Sequence, residues 1–574
     1  MALAPWIRRR YEYLLEHFGE EEFGRDDAYK ILYERFGDTK EQVSRILSDL
    51  RKNGYLTRRV SIEDRRVNIY KLIRKKEVVS RGNLEAILKK AADIIRTSVD
   101  YRYILILLFL KRISDKWKEE CETMINKLVE EGIPEDIARE EVRNSEEYHK
   151  IAIPEEFLWD NIREDVDKLP ERLSGAIKKI AELNPELKGI FDTVEFISFT
   201  MNRENLEILH QLVELFSSVD LSEVSSDVLG DAYEWVLKYF APQRAKEGEV
   251  YTPREVIRLL VKIMRPKPGD EVYDPAAGSG GMLIESYRYV KERYGEDARK
   301  LFLYGQERNH VTYGLCKMNL IIHDIDGAVI ELGDSLLHPK IRERGVPKKF
   351  DIVIANPPWN QDGYDEKTLK KGEFWEKRFE FGFPPKQSAD WAWIQHMLYS
   401  AKDNGRVGIV IDNGALFRGG REKRIRAKIV EKDWVDTVIL LPEKLFYNTG
   451  APGAIIIFNK KKPDGRKGKI LFINASQEYE KHPDVRRLNI LSERNIANIV
   501  DAYEKFENEE GFCRVVDIEE IKENDYNLNV TLYVYPEVEE ENINIEEEWQ
   551  ELQKINEELR RIDEKIEEYL RVIK

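Results

Sequence analysis

The chain has 574 residues, 42% of them hydrophobic and 35% charged, with a net charge of -15 and a pI near 5.4. That length predicts three or four domains, and the acidic balance excludes a uniformly basic surface that grips nucleic acid unaided, so any such contact is local. Cys121, Cys316 and Cys513 are too dispersed for a disulfide framework or a ligand cluster, so no metal is expected. The longest apolar run, "YILILLFL" at 103–110, falls far short of the ~20 residues that span a bilayer, and the N-terminus has no signal-peptide core. A soluble, cytoplasmic protein without a membrane partner is expected.

Residues 1–78 predict three short helices, "WIRRRYEYLLEHFG", "RDDAYKILYERFG" and "DTKEQVSRILSDLRKNGY", then a β-hairpin, "LTRRVSIEDRRVNIYKLI", turning at "IEDR". Asp38 or Thr39 is a candidate N-cap of the third helix and Gly54 its stop. The arrangement resembles a winged helix-turn-helix domain. From Arg45 to Lys76 eleven Lys or Arg oppose three Asp or Glu, a local net of +8. Such a segment suits either DNA contact through the third helix and wing, or a protein-docking domain with a solvated charged face.

Residues 79–240 read as helical throughout, with apolar residues at spacings of three and four in "LEAILKKAADIIR" and "NLEILHQLVELFSSV". Their stripes predict core and carry no chemistry by residue type. From 241 to 535 short apolar strands alternate with helices, as in a parallel α/β sheet. The predicted strands are "DEVYDPA", "LFLYGQE", "AVIELGD", "FDIVIAN", "GRVGIVID", "WVDTVILLP" and "GAIIIFNK". In the tail, 536–574, Ile555, Leu559, Ile562, Ile566, Tyr569 and Ile573 form a heptad seam. Such a helix seats on a partner or folds back on its own chain.

In "EVYDPAAGSGGMLIES" a strand ends at Asp274 and passes through Gly278, Ser279, Gly280 and Gly281 into a helix. Glycines there permit a tight turn and close approach to a ligand at a switch point of the sheet. The turn is shorter than a dinucleotide loop and begins with an acid, which suits an ammonium better than a phosphate. Glu307 ends the next strand, where a carboxylate accepts from ribose hydroxyls, and Asp334 follows the third, positioned for an exocyclic amine. Acids at three successive strand ends after a glycine turn are the layout expected for S-adenosylmethionine.

The fourth strand end is "NPPW". An exocyclic amine is a poor nucleophile because its lone pair is delocalised into the ring. Two acceptors on its N–H bonds favour pyramidal geometry and stabilise the growing positive charge. Asn356 offers a side-chain carbonyl and Pro357 a backbone carbonyl. Pro357 and Pro358 stiffen the turn, and Trp359 offers a face on which a flipped base stacks. A proline terminator beside a core tryptophan is the plain alternative.

The order "EVYTP", "DPAAGSGG", "GQE", "GDSL", "NPPW" resembles that of amino-methylating DNA methyltransferases, most closely the modification (M) subunits of type I restriction-modification systems. "LFLKRISDKW", "FGFPPKQSADWAWIQHML", "LSERNIANIVDAYEKF" and "IKENDYNLNVTLYV" extend the resemblance over residues 85–574. It implies a Rossmann-like methyltransferase domain behind a helical domain. Tyr251, Thr252, Pro253, Asp274, Ala276, Gly278, Ser279 and Gly280 would line the S-adenosylmethionine pocket, with Glu307 on its ribose and Asp334 on its adenine. Asn356, Pro357, Pro358 and Trp359 would take the target adenine. The implied partners are double-stranded DNA, a specificity (S) subunit with a second M subunit, and a restriction (R) subunit. The tail would pack on helices of the S subunit. The basic stretch "RGGREKRIRAK" at 418–428 is either a phosphate contact or a solvated helix face. Residues 1–78 stand outside the family's usual plan.

Other readings are an RNA or protein methyltransferase with the same Asn-Pro-Pro-aromatic loop, and a non-catalytic DNA-binding scaffold on the same fold. Within the main reading, N4 of cytosine stays open beside N6 of adenine, with the leading Asn favouring adenine.

Overall fold

The computed structural model describes the chain apart from residues 1–4, 20–21, 37, 53–54, 61–67, 73–80, 96–98, 145–148, 164–167, 193, 241–251, 448, 484, 486, 536–548, 551, 558 and 563–574. It forms two compact units, Met1–Val236 and Leu237–Lys574. The first begins with helices Pro5–Phe18, Arg25–Phe36 and Lys40–Lys52 and an antiparallel sheet of β1 (Glu22–Gly24), β2 (Leu56–Val60) and β3 (Asn68–Leu72), in the order β1-β3-β2. Leu14, Leu32, Ile46, Leu50, Leu56 and Leu72 form its core. Thr39 caps the third helix: its backbone N–H donates to Gln42 Oε1 at 2.7 Å, and its hydroxyl accepts the Gln42 N–H at 3.3 Å. Asp38, the other candidate cap, is buried and takes two hydrogen bonds from Arg10 at 2.6 and 2.7 Å. Gly54 and the "IEDR" turn lie outside the described residues.

The apolar run 103–110 sits inside a 29-residue helix, Arg102–Glu130, and is buried along its whole length. Its neighbours include the helices Arg81–Ile95 and Arg203–Ser217. A buried Lys111–Asp115 pair follows the run, and Asp115 also accepts the Leu221 N–H at 2.8 Å. These bonds keep the ions satisfied in an apolar setting. No helix among the described residues is long and apolar enough to cross a membrane.

The second unit is built on a nine-stranded sheet. Its strands are β4 (Glu271–Asp274), β5 (Phe302–Glu307), β6 (Val329–Leu332), β9 (Phe350–Ala355), β10 (Ala401–Asp412), β11 (Val435–Leu440), β12 (Gly453–Asn459), β13 (Lys469–Asn474) and β16 (Cys513–Asp517). Small separate pairs are β7 (Arg342–Glu343) with β8 (Val346–Pro347), and β14 (Glu480–Lys481) with β15 (Asn489–Ile490). The sheet order is β16-β13-β11-β12-β10-β9-β4-β5-β6. All seven predicted strands are present, but the expected all-parallel sheet is mixed. β12 runs antiparallel to both β10 and β11, and β16 antiparallel to β13. The twelve residues that connect β11 to β12, 441–452, contain no helix among the described residues to serve as the crossover that a parallel partner usually needs.

Central strands are buried on both faces, which explains their unbroken apolar runs. Val353, Ala355, Ile409 and Ile411 enter one core, while Ile352, Ile354 and Val410 enter the other. The chain runs from β4 outward to β5 and β6, then returns to place β9 on the opposite side of β4. That reversal opens a crevice at the carboxyl ends of β4 and β9.

In the C-terminal tail, residues 552–557 and 559–562 are helical, and Ile555, Leu559 and Ile562 are about half exposed. Ile566, Tyr569 and Ile573 lie outside the described residues.

Candidate active site

The glycine turn follows β4. Gly278 and Gly280 have φ of 55° and 86°, a region that favours residues without a Cβ. Gly280 is the N-cap of helix Gly281–Tyr294, and a Cβ there would come within 3.1 Å of Cys316 Sγ. Asp274, 1% exposed, receives the Ala276 N–H at 2.9 Å across the turn. Burial raises its carboxyl to about 8; the Ala276 bond opposes the rise and the nearby Glu307 charge adds to it.

Glu307 binds two backbone N–H groups, Gly278 at 2.9 Å and Asn309 at 2.7 Å, one on each oxygen. It thereby ties the glycine turn to the start of the next helix, which Asn309 caps at Val311 and Thr312. Asp334 Oδ1 accepts from Leu336 and Leu337 N–H at 3.0 and 3.1 Å, and Oδ2 accepts the Tyr364 hydroxyl at 2.7 Å. The turn after Asp334 is secured by Arg378, which is 1% exposed. Its guanidinium donates to the carbonyls of Ser335 (3.0 Å), Leu336 (2.7 Å) and Glu373 (3.1 and 2.7 Å), and burial depresses it to about 10.

At the end of β9, Asn356 is 8% exposed. Its Nδ2 donates to Thr252 Oγ1 at 2.8 Å, and its Oδ1 accepts the Trp359 indole N–H at 2.9 Å. The indole is a donor only, so this pair fixes which side of the amide is carbonyl. Trp359 also meets Phe446 edge to face, with centroids 4.7 Å apart.

A cavity of about 400 Å³ joins these strand ends. Ala276, Gly278, Ser279, Glu307, Asp334, Asn356 and Pro358 line it. Asp274, Gly280, Pro253, Pro357 and Trp359 are not on its wall: Asp274 and Pro357 are buried, and Pro253 accepts the Val256 and Ile257 N–H groups at the start of helix Arg254–Met264. Thr252 reaches the site through Asn356 rather than through the wall. Tyr251 lies outside the described residues. Sequence reasoning missed Arg308, Asn309, Gln361, Tyr364 and Trp393, which also line the cavity. The Asn before a helix at 309 was a readable cap signal. Tyr364 gave none, because its bond to Asp334 spans 30 positions.

The basic stretch at 418–428 differs from both expectations at two of its residues. Arg426 is buried and donates to the carbonyls of Tyr526, Ala415 and Arg418, and Arg418 points into a cluster of acids.

A glycine turn, strand-end acids and an Asn-Pro-Pro loop around one crevice of an α/β sheet define a methyltransferase. Residues 224–542 match the family model described as N-6 DNA Methylase, and residues 84–216 match the HsdM N-terminal domain. The chain is 48% identical over 564 residues to the type I restriction enzyme MjaVII methylase subunit of Methanocaldococcus jannaschii, covering 96% of this chain and 95% of the relative. It is 46% identical over 585 residues to the MjaVIII methylase subunit of that organism, covering 99% and 98%. Among solved structures, the type I restriction-modification methyltransferase subunit from Streptococcus thermophilus aligns with a TM-score of 0.67 at 29% identity, covering 79% of this chain and 100% of that one. The chain belongs to the N-6 DNA methylase family, as a methylase subunit of a type I restriction-modification system. It is an adenine-specific DNA methyltransferase; the RNA, protein and scaffold readings are not favoured.

Proposed function

We propose that the chain transfers a methyl group to N6 of an adenine flipped out of double-stranded DNA, with S-adenosylmethionine seated in the crevice between β4 and β9. S-adenosylmethionine supplies the methyl on a positively charged sulfur. The observation that carries this reading is the single cavity joining Glu307 and Asp334 to Asn356. Its volume suits a nucleoside-sized ligand. Glu307, on the cavity wall, would hold the ribose hydroxyls. Asp334 Oδ2 would hold the exocyclic amine of the ligand's adenine. Ala276, Gly278 and Ser279 would form the rest of the wall, backed by Asp274, Gly280, Thr252 and Pro253, with Tyr251 as a further contact, and the buried Asp274 carboxylate would offset an ammonium.

Asn356 Oδ1 and the Pro357 carbonyl would accept the two N–H bonds of the target amine, favouring pyramidal nitrogen and the charge that grows on it. Pro358 stiffens the loop. Trp359 would stack on the base while its N–H orients the Asn356 amide.

Residues 1–78 form a winged helix in this reading, residues 79–240 the helical domain, 241–535 the catalytic domain, and 536–574 a coiled-coil-type helix. The half-exposed Ile555, Leu559 and Ile562 would seat on a specificity subunit. The assembly would hold a second copy of this chain and, for restriction, a restriction subunit, in the cytoplasm. The test is transfer of labelled methyl to genomic DNA lacking adenine methylation, by the chain alone and with a specificity subunit, with the product base read by mass spectrometry. N6-methyladenine only with that subunit is expected. N4-methylcytosine, or no transfer in either case, would overturn the reading.

A further inference from the structure

We propose that Arg418 is a positioning residue that fixes the far end of the Asn356–Asn360 loop, and through it the register of Asn356 and the Pro357 carbonyl against the target base. The inference rests on the reading of Asn356 as the base-binding residue.

The near end of the loop is tied by Thr252 and Trp359. Its far end is Asn360, whose φ of 51° lies in the left-handed region. Asn tolerates that region better than most residues but still needs partners to stay there. It has two. Its backbone N–H donates to Asp390 Oδ1 at 3.0 Å, and its side-chain carbonyl accepts from Arg418 Nη2. Arg418 Nη1 in turn donates to the other oxygen of Asp390 at 3.0 Å. Asn360, Asp390 and Arg418 therefore close a ring that holds the backbone and the side chain of one residue together.

The ring is anchored beyond the loop. Arg418 Nη2 also meets Asp412 at the end of β10, the strand that runs parallel to β9, and Nη1 lies 3.4 Å from Glu422. Asp390 and Glu422 are each 1% exposed. One guanidinium thus faces three carboxylates from three separate segments. Both of its terminal nitrogens are engaged inward, so it is not a free cation for a DNA phosphate. A lysine cannot replace it, because a single ammonium lacks the planar fork that reaches Asn360 and Asp390 from different nitrogens.

The test uses the full chain in its assembled complex and measures single-turnover methyl transfer on duplex DNA, cofactor affinity by calorimetry, and thermal stability. Arg418→Ala is expected to lower the rate about a hundredfold, the scale of an ångström's misplacement, with cofactor affinity unchanged. Asn360→Gly keeps the left-handed backbone, removes the amide and leaves the acids paired with Arg418, so it folds even where Arg418→Ala does not. It is expected to show the same loss, and Asn360→Asp, which keeps an acceptor, to restore the rate. The double variant Arg418→Ala/Asn360→Gly is expected to be no slower than Arg418→Ala. A wild-type rate in Asn360→Gly, or losses that multiply in the double variant, would overturn the proposal. Asn356→Ala is the separate control: if it stays active, the reading of the loop fails; if it is inactive while Asn360→Gly is normal, only the role of Arg418 fails.

Discussion

Each acid at the ends of β4 to β6 accepts at least one backbone N–H from two or three positions away, beside longer ties from Gly278 to Glu307 and from Tyr364 to Asp334, whereas Asn356 and Asn360 after β9 depend, apart from the nearby Trp359, on side chains 30 to 104 positions away. Every acid of the first half therefore keeps at least one tie made within its own turn. The second half needs the loop, the helix Asp390–Ser400 and the segment after β10 to arrive together. Pocket and catalytic loop should therefore fail separately under mutation.

The largest effect is expected from Asn356→Ala. It removes one of two acceptors on the developing charge, and losses of about 10²–10³ in rate accompany such deletions. Cofactor affinity measured by calorimetry should stay near wild type. A parallel loss of cofactor binding would erase the distinction between the two halves.

Asp274→Asn addresses the other half. Replacing a buried charge-assisted partner costs about 1.5–3 kcal/mol, a roughly tenfold to hundredfold weaker cofactor. The free carboxyl titrates near 8, so affinity for a cationic ligand in the wild type should rise as pH increases toward 8, and the variant should lose that dependence. Stability runs the other way. The folded pKa of about 8 lies above the unfolded 3.8, so the native state holds an extra proton between them. Its stabilising share is complete below 3.8, declines as pH rises, and is gone above about 8. Thermal melts across pH should show Asp274→Asn free of that decline. A wild-type slope in the variant would show that another group carries it.

The next effect is expected at Arg378, which binds the turn after Asp334 from a distance. Arg378→Met would leave the carbonyls of Ser335, Leu336 and Glu373 without their donor, at about 1–3 kcal/mol for a buried acceptor left unmade. Melting should fall by several degrees, and cofactor binding should weaken more than the saturated rate. Equal loss in both would place Arg378 with the loop half instead.

The same contrast explains what could be read from sequence. The seven predicted strands were legible because burial of the central ones on both faces leaves runs such as "FDIVIAN", and Asp274, Glu307 and Asp334 were legible because strand ends punctuate those runs. Residue type narrowed the cap of the third helix to Asp38 or Thr39 without deciding between them, and Asn309 carried a cap signal of the same kind that went unread. The direction of β12 was not legible, since an apolar run looks the same in either orientation. Neither were the partners of Asp334, of the turn that follows it, and of Asn360. Tyr364, Arg378, Asp390 and Arg418 lie tens of residues away, and Arg418 sat in a charge run that suggested solvent or phosphate.

The smallest expected effects are the most discriminating, because they act on the orientation of one amide. Thr252→Val keeps the shape but leaves Asn356 Nδ2 with no acceptor, whereas Thr252→Ser keeps the hydroxyl. Trp359→Phe removes the donor to Asn356 Oδ1 but keeps a ring against Phe446. Each single change leaves the other tie in place, so a loss of roughly threefold to tenfold in single-turnover rate is expected, about the value of one hydrogen bond. Losing both ties frees the amide to rotate, and a flipped amide presents N–H to the amine where a carbonyl is needed. Thr252→Val/Trp359→Phe should then lose more than the product of the single losses. Trp359→Ala, which also removes the stacking face, should fall below Trp359→Phe. If Trp359→Phe keeps the wild-type rate while Trp359→Ala does not, the indole serves the base alone, and the amide is held from the Thr252 side.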